Sequence, residues 1–392
     1  MRSNNRTRLL AAVTVVAALA LAACGSDDDA SSATDAPTAT TADAGADAAA
    51  TATDPAGTEV ATTDAAPADT TDDTTADSTS DSGAPVEAPD TIQIAYQQVP
   101  NGDLIVKNQG WLEEAFGPDV NIEWNLFASG GDVNEAVIAG AVDLGLVGSS
   151  PASRGLSTGI EYTVPWIFDV IGAAESLVAT PDITTIADLE GKTVATPFAS
   201  TAHFSLLAAL DDAGVDASTV NIIDAAPDDI YAAWTRGDID AAYVWNPNLA
   251  KLIAEGGNVL ITSADLAAKG KTTYDLAIVS NAFAAEYPDA VNVWAAQQDR
   301  AVQLINDDPD AAAEAVALEL AITPEEAAAQ LGDLLFLTAA EQVGPDYLGG
   351  GLATNLFAAA QFNKDQGTID TVQDESVYVA GVDDSYAASV GQ

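Results

Sequence analysis

A chain of 392 residues with 48% hydrophobic residues can bury a core larger than one small domain needs. Its 12 Lys and Arg stand against 60 Asp and Glu, a formal charge of −48, which excludes nucleic acid as a natural partner and repels free anions at long range. One cysteine (Cys24) and one histidine (His203) exclude an internal disulfide and a Cys/His zinc site, and no EF-hand loop occurs, so the sequence asks for no metal and no cofactor.

Residues 1–23 read as a secretory signal. Arg2, Arg6 and Arg8 precede an apolar run, Leu9 to Ala20, that is too short to span a bilayer. The run ends in Leu21-Ala22-Ala23-Cys24, which looks like a bacterial lipobox. Cys24 is then expected to be the acylated mature N-terminus, anchoring the protein to the cell membrane on its outer side, with about 0.8 kcal/mol per buried CH2. Residues 24–90 carry no aromatic, no Lys and no Arg, and read as a disordered acidic tether of Ala, Thr and Asp.

Order is predicted from residue 91 to 392. Thr91 to Gln97 alternates as a strand, and Leu104 to Phe116 reads as a helix closed by Gly117-Pro118. Val120 to Leu126 alternates again. Ser129-Gly130-Gly131 reads as a tight loop, with Asp132 capping a helix through Ala139. Val142 to Val147 is an apolar strand leading to Gly148-Ser149-Ser150-Pro151 and another helix. Glu161 to Ala179 reads as one or two strands. Further strands are expected at Gly191 to Ala195, Val220 to Ile223, Ile239 to Val244 and Thr273 to Ser280. From Phe283 the pattern is mostly helical. Strand–helix alternation without hairpin turns predicts an α/β fold with parallel sheets.

Two features point to a ligand site. The first is the run Thr196 to Leu210, a strand end, a Pro turn and a helix start at Ser200-Thr201, which presents free N–H groups as an anion site does. The second is an internal echo. Gly140 to Pro151 and Gly237 to Pro247 both run from Gly through an apolar strand with one Asp to a polar turn and Pro. Such turns lie at the carboxyl ends of strands, where open α/β sheets bind ligands.

Residues 91 to about 390 resemble the taurine-binding proteins of ABC importers, a branch of the type II periplasmic binding proteins. The resemblance is carried by Ile94-Ala95-Tyr96-Gln97, Gly148-Ser149-Ser150-Pro151, Glu175-Ser176-Leu177-Val178, the run from Thr196 to Leu207, Ala233-Trp234-Thr235-Arg236-Gly237-Asp238-Ile239-Asp240-Ala241-Ala242-Tyr243-Val244-Trp245, and Thr273-Tyr274-Asp275-Leu276. It is interrupted at Asn246 and in the loop Gln98 to Gly102. The resemblance implies two α/β lobes with a ligand cleft between them and a helical C-terminal part, lobe I about 91–177 and 280–392 and lobe II about 178–279. It implies a binding protein that is not an enzyme, with taurine or a related sulfonate as ligand and a permease and an ATPase as partners.

A sulfonate needs several donors, expected from Ser149 and Ser150 at one helix start and Ser200 and Thr201 at another. The ammonium of taurine needs carboxylates or aromatic faces. The resemblance places Asp275 there, with Glu175 a second acid, Trp245 a cation–π face and Gln97 a polar contact. Bland readings stand beside these: Glu175 as a hinge acceptor, Asp275 paired with Lys271, Trp245 in the core. His203 in the first helical turn is expected neutral, as support or as a contact. Other readings are a receptor for another aliphatic sulfonate or small zwitterion, and a surface lipoprotein without a transport role. A single histidine argues against the thiamine-pyrimidine chemistry of some relatives of this fold.

Overall fold

The structure, a computed structural model, describes residues 86–390. The expected signal segment, the lipidation of Cys24 and nearly all of the tether lie outside the described residues. Among the described residues, no helix is long and apolar enough to cross a membrane.

Among the described residues, eleven strands form two sheets. The first contains β1 (Thr91–Tyr96), β2 (Asn121–Leu126), β3 (Leu144–Gly148), β4 (Tyr162–Ile171), β10 (Tyr274–Ser280) and β11 (Leu334–Leu335). The second contains β5 (Glu175–Ala179), β6 (Thr193–Thr196), β7 (Asn221–Asp224), β8 (Ala241–Trp245) and β9 (Asn258–Thr262). Their orders are β11-β4-β10-β3-β1-β2 and β7-β6-β8-β5-β9.

The sheets are mixed, not parallel as expected. β10 runs antiparallel to β3 and β4, and β5 runs antiparallel to β8 and β9. Long connections conceal strand direction, because they can return a chain to either end of a sheet. The echo between the β3 and β8 segments corresponds to a real equivalence. β3 lies between parallel β1 and antiparallel β10, and β8 lies between parallel β6 and antiparallel β5.

The chain passes to the second sheet between Ile171 and Glu175 and returns between Thr262 and Tyr274. The lobe edges expected near 177 and 280 therefore cut through β5 and β10. Pairing partners decide where a strand belongs, and sequence does not display them.

The helices that matter for the site are α1 (Gly102–Gln109), α2 (Gly130–Ile138), α3 (Ser149–Thr158) and α4 (Thr201–Ala213). The helix expected over Leu104 to Phe116 breaks at Gly110, whose φ of 65° ends α1 in the left-handed region. α2 starts at Gly130 with Ser129 as N-cap, so the expected glycine loop is already the first helical turn. Two long C-terminal helices, α5 (Pro288–Asp307) and α6 (Gly351–Asp365), return to the first sheet. Trp166, Trp294 and Leu352 are among the buried residues of that core. The second sheet buries Leu206 and Tyr243 on one face and Ile230 and Leu252 on the other.

Gly155, in the middle of α3, tests this packing. Alanine in a helix normally gains about 0.5–1 kcal/mol over glycine. A β-carbon on Gly155 would lie 2.0 Å from the Tyr162 hydroxyl, which donates to the Ala152 carbonyl at 3.0 Å. Overpacking reverses the sign, and Gly155→Ala is expected to lose about 1–3 kcal/mol in a denaturant titration.

Candidate ligand-binding cleft

The strand directions create the site. Gln97 follows β1, Gly148 ends β3, Ser200 follows β6 and Trp245 ends β8, while Asp275 and Glu175 lie at the starts of antiparallel β10 and β5. All six line one cleft between the sheets. The cleft is nearly shut, with about 20 Å³ left for the centres of water-sized molecules, little more than one water requires. Lobe contact is intimate: a β-carbon on Gly148 would come 2.5 Å from Thr201 Cγ2.

One wall is a donor pole. The N-termini of α2, α3 and α4 meet there, through Gly130, Gly148 with Pro151, and Ser200 with Thr201. First-turn N–H groups have no intrahelical acceptor, and aligned helix dipoles favour an anion. The hydroxyls are engaged elsewhere, unlike the expectation. Ser200 donates to the Pro197 carbonyl at 2.6 Å and accepts from the His203 N–H at 3.2 Å. Thr201 donates to Glu175 at 2.5 Å. Ser149 accepts from the Tyr274 N–H and Ser150 from the Asn363 amide, and neither lines the cleft. The anion pole is thus mainly backbone, contributed by α2 as well as the two expected helix starts. The helix itself was expected from Asp132 to Ala139, but its N-terminus was not placed at the site because its Ser-Gly-Gly start reads as a turn.

Acids lie beside these helix starts, Asp275 next to Gly148 in the β3–β10 ladder and Glu175 against Thr201. Glu175 is buried and accepts from Thr201, from Ser263 at 2.9 Å and from Ser205 at 3.3 Å. Burial still pushes its carboxyl up to about 7, with the hydroxyls pulling the other way. Asp275 is 8% exposed, and among the described residues its carboxyl accepts no hydrogen bond. Burial first and then the Glu175 charge push it up to about 8. Lys271 does not relieve it, since that ammonium lies 4.2 Å from the centroid of the Phe362 ring. Trp245 is half-buried; it packs against the core of the second sheet and also lines the cleft. Gln97 donates to the Leu146 carbonyl at 3.0 Å, which leaves its amide oxygen free to accept. Asn246 and Pro100, where the resemblance is interrupted, also line the cleft.

His203 lies outside the lining and stacks on Phe198, with centroids 4.5 Å apart and planes 7° from parallel. Burial and then Arg154 push its imidazole down to about 4, so it is neutral support at pH 7. Arg236 pairs with Asp238 at 2.7 Å on the surface, away from the cleft. Sequence reasoning also missed Asp169, a fully buried acid on β4 directly opposite Asp275. The available signal was one acid inside the apolar run Trp166 to Ile171. Among the described residues, no group of three or more His, Cys, Asp or Glu could hold a metal ion.

Two α/β lobes with helix starts and acids lining one cleft between them make the fold of the periplasmic binding proteins. The NMT1/THI5-like family model matches residues 101–312, over half of the chain, and the chain belongs to that family. It is 35% identical over 204 residues to the taurine-binding periplasmic protein of Escherichia coli (strain K12), a match covering 52% of this chain and 63% of that one. The match thus spans just under two thirds of that relative's length. Its fold matches the alkanesulfonate-binding protein of Xanthomonas axonopodis pv. citri, solved bound to MOPS, with a TM-score of 0.61 at 21% identity over 75% of this chain and 98% of that one. A desulfurization enzyme shares the fold with a TM-score of 0.55 at 16% identity, covering 78% of this chain and all of the other.

The raised carboxyls set a pH dependence. A carboxyl with a folded pKa above its unfolded value destabilises the fold as pH rises through the interval between them, because the folded state then holds more protons. Surface carboxylates ordinarily titrate near 4, and His203, shifted down, acts between about 4 and its unfolded value of 6.5. Between pH 6.5 and 8 the buried acids dominate. The melting temperature of the ligand-free protein is expected to rise as pH falls from 8 to 6.5, and Asp275→Asn to flatten that rise. Calorimetric scans at four pH values check both.

Proposed function

We propose that this protein captures taurine outside the cytoplasm and delivers it to the permease and ATPase of an ABC importer, and that it binds without catalysing a reaction. One observation carries the reading: Asp275, buried and without a hydrogen-bond donor, lines the same small cleft as three helix N-termini. A zwitterion with a sulfonate at one end and an ammonium at the other satisfies both walls. A plain alkanesulfonate satisfies one and leaves the acids buried without a partner, at about 1–3 kcal/mol or more. Trp245 adds a ring face for the ammonium, worth about 0.5–2 kcal/mol. The likeness to a taurine-binding relative supports the choice among zwitterions. Lobe opening about the two crossings admits the ligand, and the closed form presents it to the transporter.

Isothermal calorimetry with taurine, ethanesulfonate and betaine tests the ligand. Taurine is expected to bind tightest, and Asp275→Asn to weaken it tenfold or more. Binding of ethanesulfonate with no heat from taurine would replace this reading with that of a simple sulfonate receptor. An unchanged dissociation constant in Asp275→Asn would remove that residue from the site.

Acylation at Cys24 in the Leu-Ala-Ala-Cys run would hold the protein at the outer face of the cell membrane. Cys24→Ser is expected to lose metabolic palmitate labelling and to appear in the soluble fraction. Retention of the label on the variant would rule the anchor out.

A further inference from the structure

Asp169 does not line the cleft but stands directly beside Asp275, which does. It is fully buried, and neither of its oxygens has a hydrogen-bond partner. It stands directly opposite Asp275 in the β4–β10 ladder, a placement that brings β-carbons to about 4.5–5.5 Å on one face. A bulge makes this pairing. Leu276 is opposite Ile167 while Asp275 is opposite Asp169, so Phe168 is the extra residue. In a regular ladder Phe168 would face Asp275. Phe168 instead packs edge-on against Trp294, with ring centroids 6.0 Å apart, which holds the bulge.

The surroundings supply no positive charge. Glu175 on β5 acts on both aspartates and disfavours their ionisation. The Asn101 amide, just before α1, favours an ionised Asp169, but its nitrogen closes no hydrogen bond. Asp103 on α1 is engaged by Gln298 and feels Lys107, which does not reach the pair. No Lys, Arg or His is among the charged groups acting on Asp169, Asp275 or Glu175. Two buried carboxyls facing each other without a cation do not both ionise, and one proton serves the pair.

We propose that Asp169 is a positioning residue for the cationic end of the ligand: in the unliganded protein it shares one proton with Asp275, and an ammonium group seated on Asp275 displaces that proton. This rests on the reading above that the ligand carries an ammonium. The displaced proton passes from the carboxyl oxygen to the buffer, and the ammonium keeps its own. The pair goes from one negative charge to two as one positive charge arrives, so the buried charge is balanced. A plain sulfonate brings no cation and leaves the proton where it was. Asp169 thus makes the cleft discriminate between the two classes by proton count as well as by affinity.

Titration calorimetry of taurine at pH 7 in two buffers of different ionisation heat measures the protons released. The wild type is expected to release close to one proton per taurine, and its affinity to rise by up to about tenfold per pH unit between pH 6 and 8. Asp169→Asn leaves burial and Glu175 acting on Asp275 but removes the facing carboxyl, and is expected to move the pH at which release is half complete down by about one unit. A wild type that binds taurine without proton release overturns the proposal, as does Asp169→Asn with an unshifted release profile. An infrared difference spectrum, unliganded wild type minus the Asp169→Asn/Asp275→Asn double variant at pH 7, should show a protonated-carboxyl band, and its absence overturns the shared proton independently of any ligand. If taurine fails to bind the wild type, the reading of the ligand falls, and that infrared difference still decides the state of the pair.

Discussion

The constraint on which this structure depends is the burial of acids with no internal cation. Glu175, Asp275 and Asp169 lie in one region, and no Lys, Arg or His is among the charged groups acting on them. Each raises the cost of ionising the others. Glu175 is stabilised by three hydroxyls, two of them from α4 and one from Ser263. Those hydroxyls are the ones a reader of the sequence would give to an anion. Their engagement with Glu175 removes them from the donor pole and leaves backbone N–H groups there. The acid wall therefore determines how the anion wall is built.

Pseudo-symmetry explains how both walls come to one place. In each sheet, parallel strands end at the cleft and one antiparallel strand begins there. Asp275 near the start of β10 pairs with Gly148 at the end of β3, and Glu175 at the start of β5 pairs with Trp245 at the end of β8. The two acids are thus topological counterparts. Their settings differ because their partners differ. Gly148 has no side chain, which lets Thr201 approach from the other lobe, while Trp245 covers its own acid. Broken symmetry gives one acid satisfied within its lobe and one left for a ligand.

The sequence displayed the parts of this arrangement that are local. The run Thr196 to Leu210 announced a capped helix start, and Ser200 caps α4. Of the nine residues expected at the site, Gln97, Glu175, Ser200, Thr201, Trp245 and Asp275 line the cleft. Ser149, Ser150 and His203 do not, because hydroxyl and ring directions are set by neighbours distant in the chain: Tyr274 for Ser149, Asn363 for Ser150. Phe198, the partner of His203, is five residues away and was within reach of inspection. The direction of β10 and the bulge at Phe168 were not legible, since both depend on which strands become neighbours. Asp169 becomes meaningful only once that bulge sets it against Asp275.

The overall charge adds a selection that precedes the cleft. A chain of formal charge −48 repels a plain sulfonate over a Debye length of about 8–10 Å at physiological salt. A zwitterion carries no net charge and feels mainly a gradient, which turns its ammonium toward the protein. The same acidity that makes the surface unfavourable for simple anions thus leaves an aminosulfonate unopposed on approach. Inside, the order reverses. For the proposed ligand, fixed helix N-termini would hold the sulfonate where the long-range field no longer matters, and the acids would hold the cation. Salt weakens the outer selection by screening and leaves the inner one nearly intact, because desolvated charges are screened little. Under the proposed reading, an acidic surface and an acid-lined cleft act as two filters for one ligand class, the first on encounter rate and the second on residence.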